Sequence, residues 1–126
     1  MDFAFESTLS GRTLHAFLRR LSGRGYECHI LYLWLASVDL AVARVRRRVE
    51  AGGHDVPEPV IRRRFRKSLR NFDRHYRPVA TTWRLYDGSA IVGRPLIAYG
   101  TTGRQPTVVD SERWALVRRQ IEEEDK

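Results

Sequence analysis

The sequence predicts an α/β fold with parallel strand pairing, and three observations carry that prediction. Apolar runs of strand length alternate with segments whose apolar residues recur at helical spacing, in the order strand, helix, strand, helix, helix, strand. Glycine and proline punctuate the boundaries between them. The chain has 126 residues, 42% of them apolar, which suits one small domain with a real core and excludes a collagen-like or wholly unfolded polymer.

Phe3-Ala4-Phe5 predicts a first short strand, followed at once by the polar turn Glu6 to Gly11. From Thr13 to Leu21 the residues Leu14, Phe17, Leu18 and Leu21 share one helical face, and Gly23-Arg24-Gly25 stops that helix. Ile30 to Leu35 is a continuous apolar run and predicts a strand buried on both faces. Ser37 is a good N-cap for a helix carrying Val38, Val42, Val45 and Val49 inward, and Gly52-Gly53 breaks it. Pro57 suits the first position of the next helix, whose core face is Ile61, Phe65, Leu69 and Phe72. Trp83 to Tyr86 and Pro95 to Tyr99 predict two further strands around the turn Asp87-Gly88-Ser89. Asp110 caps a last helix with Trp114, Val117 and Ile121 inside, ahead of an acidic end. The strands of Phe3–Phe5, Ile30–Leu35 and Trp83–Tyr86 are expected to run parallel, with one sheet edge and an apolar surface uncovered.

Charge narrows the partners. Lys and Arg total 23 against 15 acidic residues, a net +8, and all but Lys67 and Lys126 of the cations are arginines. The window Arg44–Arg77 holds 12 cations and four acids, so it carries the whole net charge. Arg62, Arg66, Arg70 and Arg74 form a stripe every four residues, where like charges repel by roughly 0.2–0.5 kcal/mol per pair. A stripe that dense points to a bound anion, and a phosphorylated ligand or acidic partner is favoured over a cationic one. His15, His29, His54 and Cys28 have no metal-ligand spacing. Ser7 and Ser10 lack the context of a nucleophile elbow. The longest apolar run has seven residues and cannot span a bilayer as a helix. A single cysteine forms no internal disulfide, and a reducing, cytoplasmic location with no membrane partner is expected.

Three segments carry a family resemblance. Phe5-Glu6-Ser7-Thr8-Leu9-Ser10-Gly11-Arg12 resembles the substrate-side motif of zeta-toxin-like P-loop kinases. Arg44 to Arg64, with its Gly-Gly-His-Asp-Val-Pro core, resembles their lid, and Trp83 to Ser89 is similar to the strand and loop after it. The resemblance covers about residues 2–100, leaving 101–126 as a C-terminal helix and acidic tail. It implies a three-layer P-loop kinase-like fold with an arginine-rich helical lid. It also implies ATP- and magnesium-dependent phosphorylation of a sugar hydroxyl, typically on UDP-N-acetylglucosamine. By position, Glu6 and Thr8 would contact the sugar nucleotide, with Arg12 a nearby donor. Arg44 would reach the ATP phosphates, with Arg48 on the same lid helix. Where toxin members carry a second lid arginine this chain has Gly53-His54, so Arg62 or Arg63 would serve. Asp87 and Ser89 would lie beside the adenine.

The chain departs from the family in one large respect. The signature G-x-x-x-x-G-K-[ST] is not among these 126 residues; Lys67-Ser68 lies mid-helix with no glycine near it. The segment bearing the family's general-base aspartate also has no match. The expectation is therefore the C-terminal half of such a kinase, from a truncated, split or mis-started gene, inactive without a P-loop-bearing partner chain. A regulatory fragment that pairs with a full-length kinase or an antitoxin is a further option. The alternative from a different class is a small basic protein that binds nucleic-acid phosphates through the Arg44–Arg77 stripe.

Overall fold

A computed structural model describes residues 13–89 and 93–124. The predicted strand Phe3–Phe5 and the turn after it lie outside the described residues. Among the described residues the architecture is mixed α/β, with one four-stranded sheet and four α-helices. Helix α1 (Thr13–Gly23) leads into β1 (His29–Trp34), then α2 (Val38–Glu50) and α3 (Glu58–Asn71). Helix α3 runs on through a π-helical turn (Phe72–Tyr76) and a 3-10 turn (Arg77–Val79) into β2 (Thr82–Asp87). Strands β3 (Leu96–Thr101) and β4 (Thr107–Val108) follow, and α4 (Ser111–Glu124) closes the described chain.

The sheet order is β1-β2-β3-β4. Strands β1 and β2 pair in parallel, from His29 opposite Thr82 to Trp34 opposite Asp87, with α2 and α3 as the crossover between them. The other two pairings are antiparallel, so among the described strands parallel pairing holds for one pair. The reason is the length of the connections. Only the β1–β2 link is long enough to carry helices back along the sheet, whereas β2 and β3 are joined by a short turn.

Side chains from one sheet face build the core. Trp34, Trp83, Leu85 and Ala98 meet Leu18 of α1, Leu69 of α3 and Val117 and Ile121 of α4, all buried. Phe72 stacks on Tyr32 at 4.6 Å between ring centroids and meets Trp83 edge-on at 5.9 Å; Trp83 in turn stacks with Trp114 at 6.4 Å. Gly100 lies under the Trp83 indole, where a β-carbon would come within 2.7 Å of the ring. The expectation that β1 is buried on both faces is corrected. Its burial alternates, with Leu31 62% exposed and Leu33 38% exposed, as in a strand covered on one side. An unbroken apolar run does not itself say how many faces are covered.

The helix termini follow local chemistry. Ser37 Oγ accepts from the Leu40 amide and caps α2, and Asp110 Oδ1 accepts from the Arg113 amide at 3.0 Å and caps α4. Pro57 is the cap residue of α3 and not its first turn, which begins at Glu58. Helix α2 ends at Gly52, whose φ of +97° is the left-handed conformation glycine adopts without penalty.

Candidate functional site

The carboxyl ends of the parallel strands β1 and β2 lie side by side, the place where open α/β sheets bind their ligands. Four elements converge there. From β2, the Gly88 amide donates to the Trp34 carbonyl of β1 at 2.7 Å, and Ser89 Oγ accepts from the Ala36 amide at 2.8 Å. From α2, the Arg44 guanidinium donates to the Gly88 carbonyl. From α4, Gln120 accepts from the Trp34 indole at 2.9 Å and donates to the Ala36 carbonyl at 2.8 Å.

Asp87 organises the loop. It is buried, one carboxylate oxygen accepting from the Ser89 amide at 2.8 Å and the other from Arg113 Nε at 2.7 Å. Arg113 also donates to Asp110 Oδ2 at 2.6 Å, so it bridges the β2 loop to the start of α4. The two hydrogen bonds from Arg113, backbone first and then side chain, hold the Asp110 carboxyl below the usual aspartate range. A carboxylate with a depressed pKa stabilises the fold above its unfolded pKa and loses that contribution as pH falls through the folded value. Asp110→Asn is still a good N-cap but cannot ionise. The gap in melting temperature between the parent chain and Asp110→Asn is expected to be widest above about pH 4 and to close at lower pH. Thermal melts from pH 2.5 to 7 check this, and a gap independent of pH would contradict it.

The structure distributes the sequence-predicted residues among three settings. Arg44, Asp87 and Ser89 come together at the sheet's carboxyl edge. Arg44 is half-buried and, among the described residues, forms no ion pair, so its charge is balanced only by the Gly88 carbonyl dipole. Arg62 is engaged elsewhere, 3.2 Å from both Asp39 of α2 and Glu58 of its own helix, and shares no partner with Arg44. These two carboxylates raise the Arg62 pKa further above its already high value. Arg63 faces a groove with Arg66, Lys67 and Arg70. Arg48, in the last turn of α2, and His54, on the α2–α3 connection, are both exposed, and the Gly53 amide donates to the Arg48 carbonyl at 2.6 Å. Glu6, Thr8 and Arg12 lie outside the described residues.

Sequence reasoning gave the last helix but not its part in the site. Asp110, Arg113 and Gln120 all bond into the site, yet only Asp110 was singled out, and only as a cap. One signal was available. Trp83, Leu85 and Asp87 alternate along the inward face of one strand, and an aspartate at an inward position requires a cationic or amide partner.

No family description matches the chain, and no solved structure matches it. Among curated proteins it is similar to an uncharacterized protein of Haemophilus influenzae, with 32% identity over 65 residues. That stretch covers 52% of this chain and 46% of that protein, so the match spans about half the length of the relative.

Proposed function

We propose that this chain supplies the lid and the nucleotide-side loop of a phosphotransferase of the zeta-toxin kinase type. ATP would be the phosphoryl donor and a sugar nucleotide such as UDP-N-acetylglucosamine the acceptor. One observation carries the reading: Arg44, from the crossover helix α2, reaches the Gly88 carbonyl at the carboxyl end of a parallel strand pair. An arginine at that edge that has no carboxylate partner among the described residues supports a phosphate as its partner.

In this reading Arg44 exchanges the Gly88 carbonyl for a γ-phosphoryl oxygen. It neutralises charge as that group passes from the β–γ bridging oxygen to the sugar hydroxyl. Arg48, His54 and one of Arg62 or Arg63 belong to the moving lid. Arg62 would first have to leave Asp39 and Glu58. Asp87 fixes the loop carrying Ser89 beside the adenine, while Glu6, Thr8 and Arg12 face the sugar. A further layer would cover Leu31 and Leu33 in the three-layer kinase-like arrangement.

Magnesium does not fit the residues described. No group of three or more His, Cys, Asp or Glu among them is placed to hold a metal, and both Asp87 oxygens are occupied by Arg113 and Ser89. In this reading the metal and the ATP phosphates would be held by a P-loop-bearing segment or partner.

The test is calorimetry with ATP and magnesium, together with phosphorus NMR on UDP-N-acetylglucosamine. The chain is assayed alone and mixed with a P-loop-bearing fragment of a zeta-toxin-like kinase. Alone, it is expected to bind ATP only in the millimolar range and to transfer no phosphate, since exposed arginine pairs contribute roughly 0–1 kcal/mol each. The mixture is expected to form the sugar phosphate, with Arg44→Ala lowering the rate about 100- to 1,000-fold. Transfer indifferent to Arg44→Ala would overturn the reading. So would an inert mixture, or micromolar ATP binding by the chain alone that survives high salt.

A further inference from the structure

We propose that the outer flank of α3, formed by Arg63, Arg66, Lys67 and Arg70, is a binding surface for the phosphate backbone of a nucleic acid, read without regard to base sequence. This inference stands independently of the kinase reading.

Among the described residues, these four side chains line a groove of about 270 Å³. They occur at i, i+3, i+4 and i+7, hence on one flank of two helical turns. Several arginines elsewhere have acids beside them, and others such as Arg19, Arg20 and Arg84 stand singly or in pairs on the exposed surface; what sets these four apart is that they share one groove. Arg46 and Arg62 meet Glu58, Arg77 and Arg118 meet Asp73, and Arg113 meets Asp87 and Asp110. Among the described residues, no carboxylate pairs with Arg63, Arg66, Lys67 or Arg70. The nearby Glu58 is already shared by Arg46 and Arg62. Four like charges held within two turns and left uncompensated are a standing cost that an anion removes.

The lining also says which anion. A peptide partner needs an apolar anchor, and a base-reading surface needs a stacking ring or an amide fork; the described lining is cationic throughout and offers neither. What it offers is charge along a line. From Arg63 to Arg70 the helix rises about 10 Å, about three spacings of roughly 3.4 Å along one strand, so four successive phosphates fall within reach. Three of the four cations are arginines, whose planar forks grip phosphate oxygens in pairs. The surface suits a repeating phosphodiester and is too long for a single phosphate.

Binding is measured by fluorescence anisotropy with labelled 12-nucleotide single-stranded RNA, at salt concentrations from 50 to 300 mM. The parent chain is expected to bind in the micromolar range at low salt, with log K falling against log salt at a slope of about −2.8 for four neutralised phosphates. Arg66→Gln/Lys67→Gln/Arg70→Gln should weaken binding at least tenfold at 50 mM salt and flatten the slope by about 2. The matched control is Arg19→Gln/Arg20→Gln/Arg24→Gln, which removes the same charge from the exposed end of α1 and should cost less than threefold. If the triple groove variant does not fold, Arg66→Gln alone decides, with an expected two- to fourfold loss. Equal losses from groove and control variants would reduce the effect to net charge and overturn the proposal. So would polyglutamate binding as tightly as RNA, or no RNA binding below 100 µM protein at 50 mM salt.

Discussion

Leu85→Ala is expected to cost about 3–4 kcal/mol and to lower the melting temperature by roughly 12–16 °C. Leu85 is fully buried on β2, an interior strand with β1 on one side and β3 on the other. Its neighbours cannot close over the gap. In register, Tyr32 stands on one side, held by its stack on Phe72 and its hydrogen bond to Ser68, while Ala98 on the other is too small to fill the void. A cavity therefore persists, and the lost dispersion contacts add to the lost transfer energy. Denaturant melts with an unchanged m-value would report the loss directly. A cost below 1 kcal/mol would mean that β2 is not the centre of the core.

Asp87→Ala is expected to cost about 2–3 kcal/mol, less than the core cavity but with a wider structural reach. The carboxylate is buried and accepts from two donors that belong to different elements. Its removal leaves the Ser89 amide without an acceptor and Arg113 with Asp110 alone. Because the Arg113 side chain is 40% exposed, its share of the bond is screened by solvent. Asp87→Asn keeps an acceptor for the Ser89 amide and should fall midway. A double-mutant cycle with Arg113→Ala is expected to return a favourable coupling. A coupling near zero would show that the bridge from β2 to α4 contributes nothing.

Much of the fold was legible because the signals are local. Ser37 and Asp110 announce helix starts through short side chains that bond amides three residues on, and they do so in the structure. Ile61, Phe65, Leu69 and Phe72 announce a buried face by spacing; three of the four are buried and Phe65 is half-buried. The parallel pairing of Ile30–Leu35 with Trp83–Tyr86 was expected from the intervening helices and is present. What escaped depends on distant partners. Whether Leu31 is covered is decided by what lies across the sheet, and a run of apolar letters is the same in either case. The two-residue strand β4 is too short to leave a pattern, and its pairing comes from β3. The π-helical turn has no local signature of its own and is defined by where Phe72 and Tyr76 must bury their rings. The candidate site was partly legible. Asp87 and Ser89 were singled out, but that Arg113 would be the partner of Asp87 is a fact of tertiary packing.

The unequal connections within the sheet also bear on the order in which it forms. Strands β2 and β3 close a connection of about 8 residues, whereas β1 and β2 close one of about 47. Chain-closure entropy makes the longer closure costlier by about 1.6 kcal/mol. The antiparallel half of the sheet is therefore the natural early structure, and the parallel pairing is the late step. The convergence of Ala36, Arg44 and Gly88 exists only after that late step, since each lies in or beside a strand that the long closure joins. A folding intermediate with β2, β3 and α4 in place would hold Asp87 and Arg113 together. It would still present the arginines of α2 and α3 on an undocked crossover.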